Sequence, residues 1–151
     1  MTADCLPGEA SLSLRPPPRA TGIFMHYIVE SSKSFYEATF DLVPTIQRLG
    51  FVVLATHDLG GLLQRKDIDL DDDCQIVEIC NYRYVEKLLA IDMRFSVSLP
   101  WRISVFTENG ATKIGVSRLD SWLAISGDNP ELARLIAEIE SKLVMIVDDA
   151  R

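Results

Sequence analysis

Trp101-Arg102-Ile103-Ser104-Val105-Phe106-Thr107-Glu108-Asn109-Gly110-Ala111-Thr112-Lys113-Ile114-Gly115-Val116-Ser117-Arg118 is the stretch that decides the fold. Two strand-like runs, 101–107 and 112–118, flank Asn109-Gly110. That dipeptide is the strongest short hairpin signal, because the favoured two-residue turn needs positive φ at both central positions. An antiparallel pair is therefore expected in the second half of the chain.

Working outward, Gln75 to Cys80 reads as a strand that runs into a short helix over Tyr82 to Met93, with Val85, Leu88, Leu89 and Met93 on its apolar stripe. Beyond the hairpin, Asp120 to Ser126 reads as a single helical turn. Asn129-Pro130-Glu131 then opens the last helix, with Asn129 as cap and proline at the first helical position. Leu132, Leu135, Ile136, Ile139, Leu143 and Ile146 form its apolar face, and Glu138, Lys142 and Asp149 lie off it. Such a helix needs an apolar surface to dock on.

Toward the start, Ile23 to Glu30 carries alternating aromatic and β-branched residues and reads as the first strand. Ser34 and Glu37 form a capping box. The helix it opens sets Phe35, Ala38, Leu42, Ile46 and Leu49 on one stripe, bends at Pro44 and exits through Gly50. Phe51 to Thr56 is the next strand, and Gly60-Gly61 reads as the turn that ends it. No Lys-Ser or further glycine follows at phosphate-loop spacing, so no nucleotide cradle is expected there. Asp67 to Asp73, with five aspartates in seven residues, reads as a solvated loop. It lacks the glycine and terminal glutamate of a calcium-binding EF-hand, so no metal site is assigned to it.

The order is β-α-β-β-α-β-β-α. Too few crossover helices separate the strands for a wholly parallel sheet, so the expected class is α+β, with a mainly antiparallel sheet and helices packed on one face. Residues 1–22, with Arg15-Pro16-Pro17-Pro18-Arg19, read as a disordered proline-rich tail, and 23–151 as a single domain.

The 151 residues suffice for one compact core, and 48 % hydrophobic with 25 % charged residues is the balance of a soluble globular protein. A net charge of −7 argues against nucleic acid and anionic membrane surfaces as partners. There is neither a long apolar run for a membrane span nor a signal-peptide pattern in Met1 to Arg19. The three cysteines, Cys5, Cys74 and Cys80, are odd in number and irregularly spaced, which fits a reduced cytoplasm better than secretion.

Several short pieces, in their order and spacing, resemble the bacterial domain-of-unknown-function 302 family over roughly Phe24 to Val147. They are Tyr27-Ile28-Val29-Glu30-Ser31-Ser32-Lys33-Ser34-Phe35, Gly50-Phe51, Ile79-Cys80-Asn81, Leu99-Pro100, the hairpin Val105 to Val116, and Gly127-Asp128-Asn129-Pro130-Glu131-Leu132. The resemblance implies a curved antiparallel sheet of the TATA-binding-protein-like α+β type, and it suggests self-association. It carries no activity with it, and it does not imply DNA binding, since a fold does not fix a function. The chain departs from the family at two places: Cys80-Asn81-Tyr82 stands where members show Cys-Asn-Pro, and Trp101 stands where many show a cysteine after Leu-Pro.

Cys80 is the candidate functional thiol. At a strand-to-helix corner it faces the amide-rich start of the helix, which favours a thiolate unless Asn81 already caps those amides. The plain alternative is a small buried hydrophobe at a strand end. Cys74 lies on the same strand face but about 20 Å away, too far for a disulfide. His26 and His57 are candidate partners for a thiol–imidazole pair. Tyr82 and Trp101 would close a pocket beside Cys80 suited to a small apolar or planar ligand.

No catalytic constellation is evident, and no cofactor can be named. The expected function is a small binding or assembly domain, homodimeric, with a ligand pocket formed by Cys80, Asn81, Tyr82, Trp101, His26 and His57. A thiol-dependent enzyme or a haem- or sulfur-handling protein using Cys80 is the alternative.

Overall fold

The structure, a computed structural model, describes residues 25–151. The proline-rich leader, Cys5 and the first two residues of the expected opening strand, Ile23 and Phe24, lie outside the described residues.

Five strands form one antiparallel sheet: β1 (His26–Ser31), β2 (Val52–Asp58), β3 (Cys74–Cys80), β4 (Trp101–Glu108) and β5 (Ala111–Ser117), in the spatial order β1-β5-β4-β3-β2. The helices are α1 (Phe35–Arg48), α2 (Leu59–Gln64), α3 (Tyr82–Ile91), α4 (Asp120–Ser126) and α5 (Pro130–Ala150), with a 3-10 stretch over Met93–Ser98. The expected α+β class and its element order hold; the additions are α2, the 3-10 stretch and a fuller α4.

Local chemistry sets most of these boundaries. Asn109 and Gly110 both take positive φ, 51° and 78°, which closes the β4–β5 hairpin as the dipeptide predicts. Ser34 Oγ accepts from the Glu37 amide while Glu37 accepts from the Ser34 amide, completing the capping box of α1. Asn129 Oδ1 accepts from the Leu132 amide at the start of α5. Pro44 sits inside α1 as expected.

One face of the sheet is the core face. Strand alternation sends Val77, Ile79, Trp101, Ile103, Val105, Ile114 and Val116 to it. They meet Ala38, Leu42 and Ile46 from α1 and the whole expected stripe of α5, from Leu132 to Ile146, all buried. Cross-links fix the C-terminal turn of α5: Lys33 Nζ donates to the Ala150 carbonyl (2.9 Å), and Tyr27 Oη donates to Asp148 (2.7 Å).

Two local expectations are corrected. Gly60-Gly61 is not a turn; both residues lie in α2, because Asp58 Oδ1 accepts from the Gly61 amide and caps that helix. A Cβ at Gly61 would run into the Asp58 carboxylate, so glycine makes room for the cap. Met93 is not on the buried stripe of α3. That helix ends at Ile91, Met93 is 65 % exposed, and Tyr84 and Leu88 are its buried residues.

The edge strand β2 carries a bulge. Its pairing with β3 slips between Val53 and Ala55 and leaves Leu54 without a cross-strand partner.

Candidate functional site

Cys80 ends β3 opposite Val52, one residue before the cap of α3. It is 7 % exposed, and burial pushes its thiol pKa up. The nearby helix start does not reverse this. Asn81 Oδ1 accepts from the Tyr84 amide (3.1 Å) and so occupies one of the free donors, while Asn81 Nδ2 donates to the Gly50 carbonyl (3.0 Å). Asn81 thus ties the strand-to-helix corner to the exit of α1.

The other expected site residues do not gather around the sulfur. His26 is on β1, opposite Ser117, three strand spacings from β3, which is about 14 Å. His57 pairs with Ile76, four residues along β3 from Cys80, about 13 Å away. Its Nε2 instead lies 3.4 Å from Glu78 Oε1 on the neighbouring strand. No thiol–imidazole pair is formed. Tyr82 is largely exposed on the first turn of α3. Trp101 pairs with Ile79 and therefore faces the core, opposite in direction to Cys80.

Trp101 instead joins a chain of aromatic rings. Tyr84 packs on Phe51 (centroids 6.1 Å), Phe51 on Trp101 (5.9 Å, edge to face), Trp101 on Trp122 (6.2 Å) and Trp122 on Phe95 (5.1 Å). At the outer side of this chain a cleft of about 300 Å³ opens where β4 begins, β5 ends and α4 starts. Trp101, Trp122, Arg102, Arg118, Ser117 and Ser121 are among its walls. Arg118 Nη2 donates to Glu140 (2.9 Å), and the same carboxylate accepts from the Leu119 amide (2.8 Å).

The second face of the sheet is the other open feature. His26, Ile28 and Glu30 of β1, Lys113 and Ser117 of β5, Arg102, Ser104 and Phe106 of β4, Cys74, Ile76 and Glu78 of β3, and Val52, Leu54 and His57 of β2 all point to it and all keep some exposure. Ile28 and Leu54 are each about half exposed, 48 % and 49 %. Gly115 lies between them with Ile28 over it: a Cβ built there would stand 2.9 Å from Ile28 Cγ1.

A separate apolar spot lies on α1, where Phe40 is 81 % exposed beside Tyr36. The aspartate loop frames a polar hollow with Asp58. Among the described residues no three histidine, cysteine or carboxylate groups are placed to hold a metal ion. Nor is any described helix long and apolar enough to cross a membrane.

The family model described as "Domain of unknown function DUF302" matches residues 27–150. The chain belongs to the DUF302 family. Its fold is similar to the crystal structure of an uncharacterized conserved DUF302 protein from Bacillus stearothermophilus, with a TM-score of 0.78 at 29 % identity over 85 % of this chain and 100 % of that one. No curated protein matches the chain. In this DUF302 chain the two positions at which the sequence was expected to depart from the family differ in character: Tyr82 is on the surface, whereas Trp101 is 4 % exposed and fills the core beside the cleft. The sequence reading singles out neither Arg118 nor Trp122 as a site residue. The spacing of 16 residues across the hairpin from Arg102 to Arg118 is the signal that was present, because a hairpin returns its two ends to one place.

Proposed function

We propose that this domain is a binding and assembly module without catalysis of its own, and that it pairs with a second copy through the open face of its sheet. The observation that carries this reading is the apolar content of that face: Ile28, Phe106, Ile76, Val52 and Leu54 run across it from one edge strand to the other. All the large apolar side chains of the opposite face are covered by helices. An antiparallel sheet can leave one face in water, but that face is then normally polar. Five strands spaced about 4.8 Å and about 20 Å long offer a footprint of about 450 Å² per copy. Two such faces together approach the lower limit, about 1,000 Å², of a specific interface. The charges on the face alternate in sign, with Glu30 opposite Lys113 and Glu78 opposite Arg102, so a twofold pairing need not set like charges together.

Sedimentation equilibrium at micromolar concentration tests the reading. A dimer is expected, and Ile28→Glu with Leu54→Glu is expected to give a folded monomer. Phe40→Glu on α1 is expected to leave the dimer intact. A wild-type chain that stays monomeric overturns the proposal, as does a dimer that survives the sheet variants or dissociates with Phe40→Glu.

Burial and the raised thiol pKa weigh against the alternative use of Cys80 as a nucleophile.

A further inference from the structure

Tyr36 and Phe40 stand one helical turn apart on the solvent side of α1, 75 % and 81 % exposed. The helix turns Ala38, Leu42 and Ile46 to the core, and neither ring belongs to that cluster. A hollow of about 520 Å³ opens beside Phe40, and a second of about 280 Å³ lies between Asp58 and the aspartate loop. Tyr36 is a wall of both, so the two form one continuous surface. Ile68 and Leu70, about half exposed, add two aliphatic side chains from the loop. Four large apolar side chains gathered in water mark a contact surface.

The surrounding charge selects the partner. Six carboxylates line the two hollows: Glu37 and Asp41 in the first, and Asp58, Asp69, Asp72 and Asp73 in the second. Lys33 is the one cation among the lining residues, and Asp41 (2.9 Å) and the Ala150 carbonyl (2.9 Å) already hold it. Six negative charges against one positive leave −5 on this surface, beside −7 for the whole chain. Arg65 and Lys66 follow Gln64 at the border of the second hollow, but among the described residues neither pairs with any of these carboxylates. A second copy would bring the same negative wall, so an isologous contact is repelled here. An anionic membrane surface is repelled likewise. Among the described residues no three carboxylates are placed to hold a metal ion. We infer that this surface docks a short basic amphipathic segment of another protein, its apolar side chains on Tyr36, Phe40, Ile68 and Leu70 and its cationic ones among the carboxylates. It is a different surface from the open sheet face, and neither contact depends on the other.

Titrate the ¹⁵N-labelled full chain with an amphipathic peptide built only of leucine and lysine, and follow the backbone amides by NMR. Saturable shifts are expected at Tyr36, Phe40, Ile68 and Leu70. The same peptide with glutamate for lysine, and another with serine for leucine, are each expected to give none. Phe40→Ser, a change at an exposed position, is expected to weaken binding about tenfold. Asp69→Asn with Asp73→Asn, both exposed in the loop, is expected to weaken it by a similar factor. No saturable shift up to about 1 mM peptide overturns the inference. So does equal binding of either control peptide, a set of shifts centred on the open sheet face, or an affinity unchanged in either variant.

Discussion

Tyr84 Oη donates a 2.9 Å hydrogen bond to Glu138 Oε1 and so joins α3 to α5 through a side chain that is otherwise buried against Phe51. Burial first, and the bonded carboxylate second, push the Tyr84 pKa up to about 12 from the ordinary 10.0. The unfolded chain therefore loses this proton at lower pH than the native one. Stability associated with Tyr84 is fully present below pH 10 and is lost as pH rises toward 12. Urea midpoints measured from pH 9 to 12 are expected to fall more steeply in wild type than in Tyr84→Phe, by on the order of 1–3 kcal/mol at the alkaline end. Parallel pH profiles would show the account to be wrong.

Asn81 serves two elements at once, capping α3 and holding the Gly50 carbonyl. Asn81→Ala removes both bonds and is expected to cost about 1–3 kcal/mol in chemical denaturation. Asn81→Asp keeps the acceptor for the Tyr84 amide and loses the donor to Gly50, so its cost should lie between wild type and alanine. If aspartate proves as costly as alanine, the cap contributes nothing.

Gly115 leaves room for Ile28 on the neighbouring strand. Gly115→Ala forces that side chain aside and is expected to destabilise by about 1 kcal/mol. In the Ile28→Ala background the same change should be neutral or better, because the obstructing atom is gone. A double-mutant cycle with no coupling between the two positions would contradict the contact.

Cys74 is half-buried and Cys80 buried, with the Cys80 thiol pKa raised by burial. In a Cys5→Ser background at pH 8, iodoacetamide followed by peptide mass spectrometry is expected to label Cys74 well before Cys80. Labelling of Cys80 should rise sharply in urea. Equal native rates at the two sites would revive the thiol as a reactive group.

The elements that were legible in the sequence are those whose causes are local. Asn109-Gly110, the Ser34–Glu37 box and the Asn129-Pro130 start each act within four residues, and the stripe of α5 needs only its own periodicity. The misreadings have equally physical origins. Gly60 and Gly61 looked like a turn because glycine disfavours helix, and the cap from Asp58 outweighs that preference. Met93 continued a helical spacing past the point where Asp92 caps a new 3-10 stretch. The candidate site was harder still. Which way Cys80 and Trp101 face depends on strand parity, and whether His26 or His57 reaches the sulfur depends on strand order, neither of which is written in any short segment. The meeting of Trp101, Arg102 and Arg118 follows only from the closed hairpin register.

The irregular pairing at Leu54 limits how these molecules can join. A border with a kinked ladder is a poor template for another chain to zip onto, and among the described residues β2 is one of the two borders of the sheet. Among the described residues β1 is the border with a regular ladder, and a ribbon joined there through two copies of β1 would stop at the kinked β2 rims on either side.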